Sequence, residues 1–522
     1  MSDDERLRLT HEGTETLVQV ESIDVAGRTD VAKLRKHAVG LAGVLFLTVT
    51  GAAPISAMLF NVPLSVGYGN GIFTPGGFLF ATIILTIFSV GYVAMARKKT
   101  TAGGFYAFIS HGLGRELGMA TGLSSVVAYS VFEASLCGGF AFFLNLKILD
   151  WFNVNVPWPF LALAMVLLIG ILSYFDVSVS VSVLGVALIL EVIALVIFAG
   201  GVLFQGGAGS GLSLDHLNPV SAFKDLPGSI TGLPGAWAIG VFFAFWSWVG
   251  FEMAPNYGEE SKDPKRIVPL SLYISVIGLG IFYTLVSWAS IEGYATTKAA
   301  VAQAQSDPAS FFLVPAKLLI GGWLREILSI LIVTGSFACG MAFHNTAARY
   351  FYSLGREGGI VPKFFGKTHD RYSSPHRAST LQSIIAALIV LAFAIFSGTG
   401  DPTKQAYLQL YGLMALMGVI IILPVQAIVS VSILVYFERF HKDEVHWWKT
   451  RLAPIISAVA QIFVTVLLFQ KIAFIGGGEK LANWLGPIDA VVFAIGLVWA
   501  FRLKRSEPDK YQAIGRMIQE GL

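Results

Sequence analysis

Apolar residues run along this chain in long blocks separated by short polar stretches. A helix needs roughly 20 apolar residues to cross a bilayer. Twelve blocks meet or approach that length: 39–66, 74–96, 117–146, 157–175, 179–204, 236–256, 267–291, 323–351, 379–397, 406–437, 451–472 and 484–502. The pattern predicts an all-α integral membrane protein with twelve transmembrane helices. Two blocks carry a defect. In the sixth, an aromatic run through Phe242, Phe243, Phe245, Trp246 and Trp248 meets Gly250 and the acid Glu252, then ends in the charged stretch 259–266. A carboxylate at membrane depth costs roughly 2.5–3.5 kcal/mol on insertion scales and marks a functional site by default. Unwound backbone beside it is tolerated only inside protein or against a watery cavity.

The first block has a matching defect, because Thr50-Gly51-Ala52-Ala53-Pro54 separates apolar residues 41–48 from 55–60. Proline inside a helix removes a hydrogen bond and clashes with the preceding turn. By itself such a proline is often only a kink and a weak sign of function. Interrupted segments at corresponding positions of two halves, however, point to a transporter's binding site. Helices one to five and six to ten would then form two five-helix repeats, the second inverted relative to the first. The chain divides accordingly into a tail (1–37), a first repeat (38–204), an outer loop (205–235), a second repeat (236–437), two further helices (438–503) and a C-terminal tail (504–522).

Composition supports this reading. Hydrophobic residues make up 55% and charged residues 13% of 522, with mean hydropathy +0.69, whereas a soluble domain carries about 25% charged residues. The net charge of +3 gives no reason to expect a nucleic-acid partner. Of the 36 lysines and arginines, 28 fall on one side if the N-terminus is cytoplasmic, so both termini are expected inside. Residues 1–35 lack the apolar core of a signal peptide. Cys137 and Cys339 lie within apolar runs and read as packing residues. The connection 97–116 and the stretch 349–362 each fit a short helix along the membrane surface, and 293–322 is long enough for helices over the outer mouth. No metal-ligand spacing, nucleophile–base pair or phosphate loop appears, so an enzyme is not expected.

Four segments carry a family resemblance: TAGGFYAFISHGLGRELG (101–118), AFWSWVGFEMAPNYGEESKDPKRIVP (244–269), FACGMAFHNTAARYFYSLGREGGIVP (337–362) and SPHRA (374–378). Together they resemble the amino acid–polyamine–organocation (APC) superfamily of permeases, in a bacterial amino acid permease branch, over about residues 38–505. The resemblance implies a leucine-transporter-like fold with a 5+5 inverted repeat, two extra C-terminal helices, alternating access, and a place in the bacterial inner membrane. It implies a small amino acid or amine as the partner and no bound cofactor.

Such a fold suits zwitterions. The helix half beginning near Ala53 presents free N–H groups and a positive dipole end to a carboxylate. The half ending near Phe245–Trp248 presents carbonyls to an ammonium. By resemblance Thr50, Gly51, Ala52 and Ala53 line the carboxylate side, and Phe245, Trp246, Ser247 and Gly250 the amine side, with Trp246 as an aromatic lid. Trp246 and Trp248 also fit plain interface packing. Three acids lie within helices. Glu252 matches a glutamate that helps govern transport in related exchangers. Glu191 stands near a lysine of proton-dependent relatives, and an acid there could carry a proton, since burial favours a neutral carboxyl. Glu133 could meet the distal amine of a cationic amino acid or polyamine, or simply pair with Ser130 or Ser135. Thr334 and Ser336 lie where sodium-dependent relatives bind a cation, so sodium stays open beside proton coupling. His344 reads as a hydrogen-bonded structural residue. The competing readings are a polyamine importer using Glu133, a major-facilitator-type permease, and a substrate sensor on the same fold.

Overall fold

The computed structural model describes residues 34, 37–100, 102–175, 177–209, 211–225, 236–396, 401, 404–476 and 479–515. Most of the N-terminal tail, residues 226–235 of the outer loop and the last residues of the C-terminal tail therefore lie outside the described residues. Among the described residues, eleven helices are long and apolar enough to cross a membrane. In chain order, with one shorter apolar helix included as α4, they are α1 (Leu41–Tyr68), α2 (Gly71–Ala96), α3 (Arg115–Phe152), α4 (Trp158–Tyr174), α5 (Val177–Phe204), α6 (Trp237–Glu260), α7 (Pro264–Glu292), α8 (Gly322–Glu357), α9 (His376–Phe396), α10 (Gln405–Phe440), α11 (Trp447–Gln470) and α12 (Ala482–Ser506). Among the described residues the one extended pairing is an isolated parallel bridge between Val39 and Ser261.

Burial sorts these helices into a centre and a periphery. In α6, α3 and α1 the most apolar stretch is 94%, 89% and 83% buried, while in α9 and α12 it is 22% and 17% buried. The two helices with an interior break are thus among the three most deeply packed of these helices. That follows from the demand for hydrogen-bonding partners: backbone freed by a break cannot face hydrocarbon. Several serine and threonine hydroxyls bond back to the preceding turn, as in Thr48 to Val44 and Ser89 to Leu85, which satisfies those groups without a partner helix.

The two ends are closed differently. At the Lys/Arg-rich end, Val39 donates to Glu260 O (3.0 Å) and accepts from Lys262 N (2.9 Å). Beside it Arg349 reaches Glu260 Oε2 at 2.7 Å and Arg356 reaches Glu259 Oε1 at 2.7 Å. These ion pairs hold the end of α8 against the segment that leaves α6. They also explain why the stretch from 349 is not a separate surface helix: α8 continues to Glu357 and stops at Gly358, whose φ is +63°. The expected helix in 97–116 is present as Gly104–Gly112, but it is buried almost throughout rather than laid along a surface. At the opposite end the helix Thr297–Ser306 covers α1, with Gln305 Nε2 on Gly67 O (2.9 Å) and Tyr68 Oη on Gln305 O (3.1 Å).

Candidate functional site

Both breaks exist, and they touch. In α1 the first half ends at Gly51, Ala53 takes a left-handed conformation (φ +45°), and the second half starts at Pro54. Proline has no N–H to return to the preceding turn, so the chain must leave the helix before it. The helix then widens into a π-turn over Ala57–Asn61, a feature common at functional sites. In α6 the α-helix ends at Trp246, Gly250 has φ +122°, and a 3₁₀ stretch runs over Phe251–Glu260. A Cβ on Gly250 would lie 2.3 Å from the carbonyl carbon of Gly51 and 2.5 Å from Ala52 N. Backbone therefore meets backbone where the two helices cross.

Beside this crossing lies a cavity of about 20 Å³, room for about one water. Gly51, Ala52, Ala53 and Ser56 of α1 form one wall, and Trp246, Ser247 and Val249 of α6 the facing one. Leu136, Cys339, Phe343 and Tyr411 close the sides. Every lining residue is buried, so a larger guest requires the walls to move.

A chain of hydrogen bonds runs around the cavity. Trp246 Nε1 donates to Tyr411 Oη (3.0 Å), which donates to Asn61 Oδ1 (2.6 Å). Asn61 Nδ2 donates to Ser247 Oγ (2.9 Å), and that hydroxyl donates to Phe243 O (2.7 Å). The Trp246 ring packs on Phe132 (4.5 Å, 23°) and Phe343 (6.0 Å, 11°), whose own centroids are 5.0 Å apart, so the three rings form one cluster. The sequence pattern does not single out Asn61 or Tyr411. A lone amide in the apolar run 55–66 is the signal that could have found Asn61, since intramembrane polar groups mark sites.

The acids divide by task. Glu252 folds back on its own break, accepting from Gly250 N (2.9 Å) and Tyr129 Oη (2.8 Å). Glu191, on α5, accepts from Ile55 N (3.3 Å) at the start of the second half of α1, and its other oxygen has no partner among the described residues. Glu133 does not line the cavity. His344 Nδ1 lies 3.0 Å from both of its oxygens, Gln382 Nε2 donates to Oε2 at 2.6 Å, and His344 Nε2 lies 2.8 Å from Ser379 Oγ. Ser130 instead donates to Gln382 (2.6 Å) and Ser135 to Tyr411 O (2.8 Å).

Glu133 and His344 each follow, in sequence, one of the rings that pack on Trp246. Their pairing ties α3 to α8 at the register of that aromatic cluster. Glu133→Ala strands His344 and Gln382 in a fully buried site, and a loss of about 3–5 kcal/mol is expected; denaturant unfolding of the purified protein measures it, and a change below about 1 kcal/mol would remove the pair from this role.

The remaining candidates are spread around the crossing. Thr50 Oγ1 faces Leu184 O on α5 at 3.5 Å. Phe245 points away from the cavity, its ring 6.1 Å from Phe80. Trp248 is fully buried and meets the Tyr283 ring edge-on at 4.9 Å. Thr334 bonds back to Leu331 O, whereas Ser336 Oγ lies 3.4 Å from Ser56 Oγ across the α1–α8 interface. Cys339 is free, and its Sγ donates to Gly51 O at 3.4 Å.

The sequence pattern described as amino acid permease matches residues 39–495, a span that includes both breaks and the whole cavity. The chain belongs to the amino acid permease family. It is 24% identical over 324 residues to the low-affinity putrescine importer PlaP of Escherichia coli K12, covering 60% of this chain and 66% of the importer, just under two thirds of its length. To the aromatic amino acid transport protein AroP of Escherichia coli O157:H7 it is 22% identical, over 87% of this chain and 93% of that protein. A sodium-coupled sialic acid symporter, solved substrate-bound and outward-open, is similar at 13% identity and a TM-score of 0.48, covering 82% of this chain and 89% of the symporter. Family membership and the eleven apolar helices together make this chain a multi-pass membrane protein.

Proposed function

We propose that the chain is a secondary active transporter of amino acids or related amines, working by alternating access. The proposed frame is a leucine-transporter-like fold of twelve crossings in two inverted five-helix repeats, with both termini on the cytoplasmic face of a bacterial inner membrane. One observation carries this reading: two broken helices meet, glycine on glycine, beside a buried cavity lined by main chain, a serine and aromatic rings. Helix ends offer opposite partial charges, so a zwitterion is held by backbone while Trp246, Phe343 and Tyr411 read the rest of it. In this conformation the cavity is far smaller than an amino acid. Binding therefore requires the aromatic wall to withdraw, and its closure behind the substrate is the occlusion step.

Counterflow of labelled substrate in proteoliposomes tests the proposal. Exchange against an internal pool supports a transporter, whereas saturable binding without exchange supports a sensor. Import of a diamine is the second reading, favoured by similarity to a protein named as a putrescine importer. Because Glu133 is already engaged by His344 and Gln382, a diamine would have to break that network to use it.

Glu191 is the proposed proton carrier, since its carboxyl joins α5 to the start of the second half of α1. Ser336 with Ser56, and Thr334 nearby, are the groups a sodium-coupled mechanism would use instead. Glu191→Gln is expected to leave substrate binding within about twofold while flattening the pH dependence of uptake. An unaltered pH profile, measured as initial uptake rates across about pH 5–8, would exclude the carboxyl from coupling.

A further inference from the structure

A second and much larger space lies far from the helix crossing, at the Lys/Arg-rich end. This cleft has a volume of about 550 Å³ and sits between the end of α10, the start of α3, the helix Gly104–Gly112 and the C-terminal segment 511–515. Lys99, His111, Arg115, Arg439 and His441 line it, and Glu116 is the one acid among the lining residues. That acid is already neutralised: Lys504 Nζ and Tyr511 Oη each donate to Glu116 Oε1 at 2.7 Å. The nearby Glu444 is likewise held by Lys98, at 2.6 Å. The cleft is left with a net positive lining.

Two further features point to an anion. Arg115 Nε is buried and has no acceptor among the described residues, and a buried donor left unmade costs free energy. Arg115 also opens α3, a 38-residue helix whose start is marked by Gly118 N donating to Gly114 O. The N–H groups of residues 115–117 precede that bond and add the positive end of the helix to the cleft. A guanidinium, a helix N-terminus and flanking cations form a set that suits phosphate oxygens.

The position selects the source of the phosphate. α10 is a membrane-crossing helix that ends at Phe440, and Phe440, 62% exposed, is part of the lining. The cleft thus opens where hydrocarbon gives way to headgroups, on the side that carries most of the basic residues. Anionic lipids concentrate there, and Lys and Arg side chains near the surface attract them. We propose that this cleft binds the phosphate headgroup of an anionic phospholipid. The lipid bridges α3, α10 and the C-terminal segment, whose Gly515 N–H is anchored on Glu357 Oε1 at 2.9 Å. The site does not depend on what the protein transports.

The test uses full-length protein purified in detergent and titrated with phosphatidylglycerol, phosphatidylcholine or inorganic phosphate. Native mass spectrometry counts adducts and the thermal midpoint reports stabilisation. Wild type is expected to retain one phosphatidylglycerol that phosphatidylcholine does not displace. Arg115→Gln combined with Arg439→Ala is expected to weaken that adduct at least tenfold, while Arg371→Ala with Arg377→Ala, two basic residues outside the cleft, leaves it unchanged. Arg439→Ala alone, at an exposed position, keeps the comparison open if the double variant is poorly folded; a threefold or greater weakening is expected. Equal loss in both double variants, or no loss in any cleft variant, would overturn the site. Stabilisation by inorganic phosphate with none by phosphatidylglycerol would overturn the lipid as its occupant.

Discussion

Gly250→Ala is expected to reduce substrate counterflow to background, at least a hundredfold below wild type. The added methyl carbon would sit 2.3 Å from the Gly51 carbonyl carbon, against backbone that cannot swing aside. A φ of +122° adds strain of order 1–3 kcal/mol for any residue with a side chain. The α6 break would then have to retreat from α1, widening the crossing and displacing Ser247 and Trp246 from the cavity wall. Gly51→Ala is the informative contrast. Its methyl would meet Met253 Sδ at 2.9 Å, the far end of a flexible chain, and Gly250 Cα at 3.3 Å. It should therefore keep activity within about tenfold of wild type. Equal activity of Gly250→Ala and wild type would mean that the two breaks need not touch for transport.

The second large effect is expected at Glu252. Replacement by alanine removes the acceptor of two buried donors, Gly250 N–H and the Tyr129 hydroxyl. Each abandoned buried group costs about 1–3 kcal/mol, so Glu252→Ala should lose about 2–6 kcal/mol of stability together with most uptake. Glu252→Gln keeps an oxygen for one of the two donors and should fall between. Tyr129→Phe removes a single contact and should cost least. Denaturant midpoints across the three variants give the order, and an alanine variant as stable as the phenylalanine one would show that the carboxylate does not hold the break.

Much of this was legible along the chain because it is written in local chemistry. Apolar block length gives helices that cross a membrane, Pro54 interrupts its helix by lacking an N–H, and Gly250 supplies the backbone freedom that the α6 break uses. The ends of the blocks were less legible. Arg349–Glu357 reads as a polar surface segment, yet it continues α8, because Glu259 and Glu260 from the end of α6 neutralise its arginines.

What the amino-acid order determined alone was the membrane class, the two interruptions and the residues at risk there. The tertiary structure decided which of those residues share a space. Glu133, Glu191 and Glu252 look alike in sequence, each a carboxyl in an apolar run. Packing gives one to His344 and Gln382, one to the start of a half-helix and one to its own turn. Asn61 and Tyr411, 350 positions apart, became neighbours in the cavity wall. A backbone break is a property of one residue and its immediate neighbours, whereas the partner of a buried polar group is set by whichever distant helix folds against it.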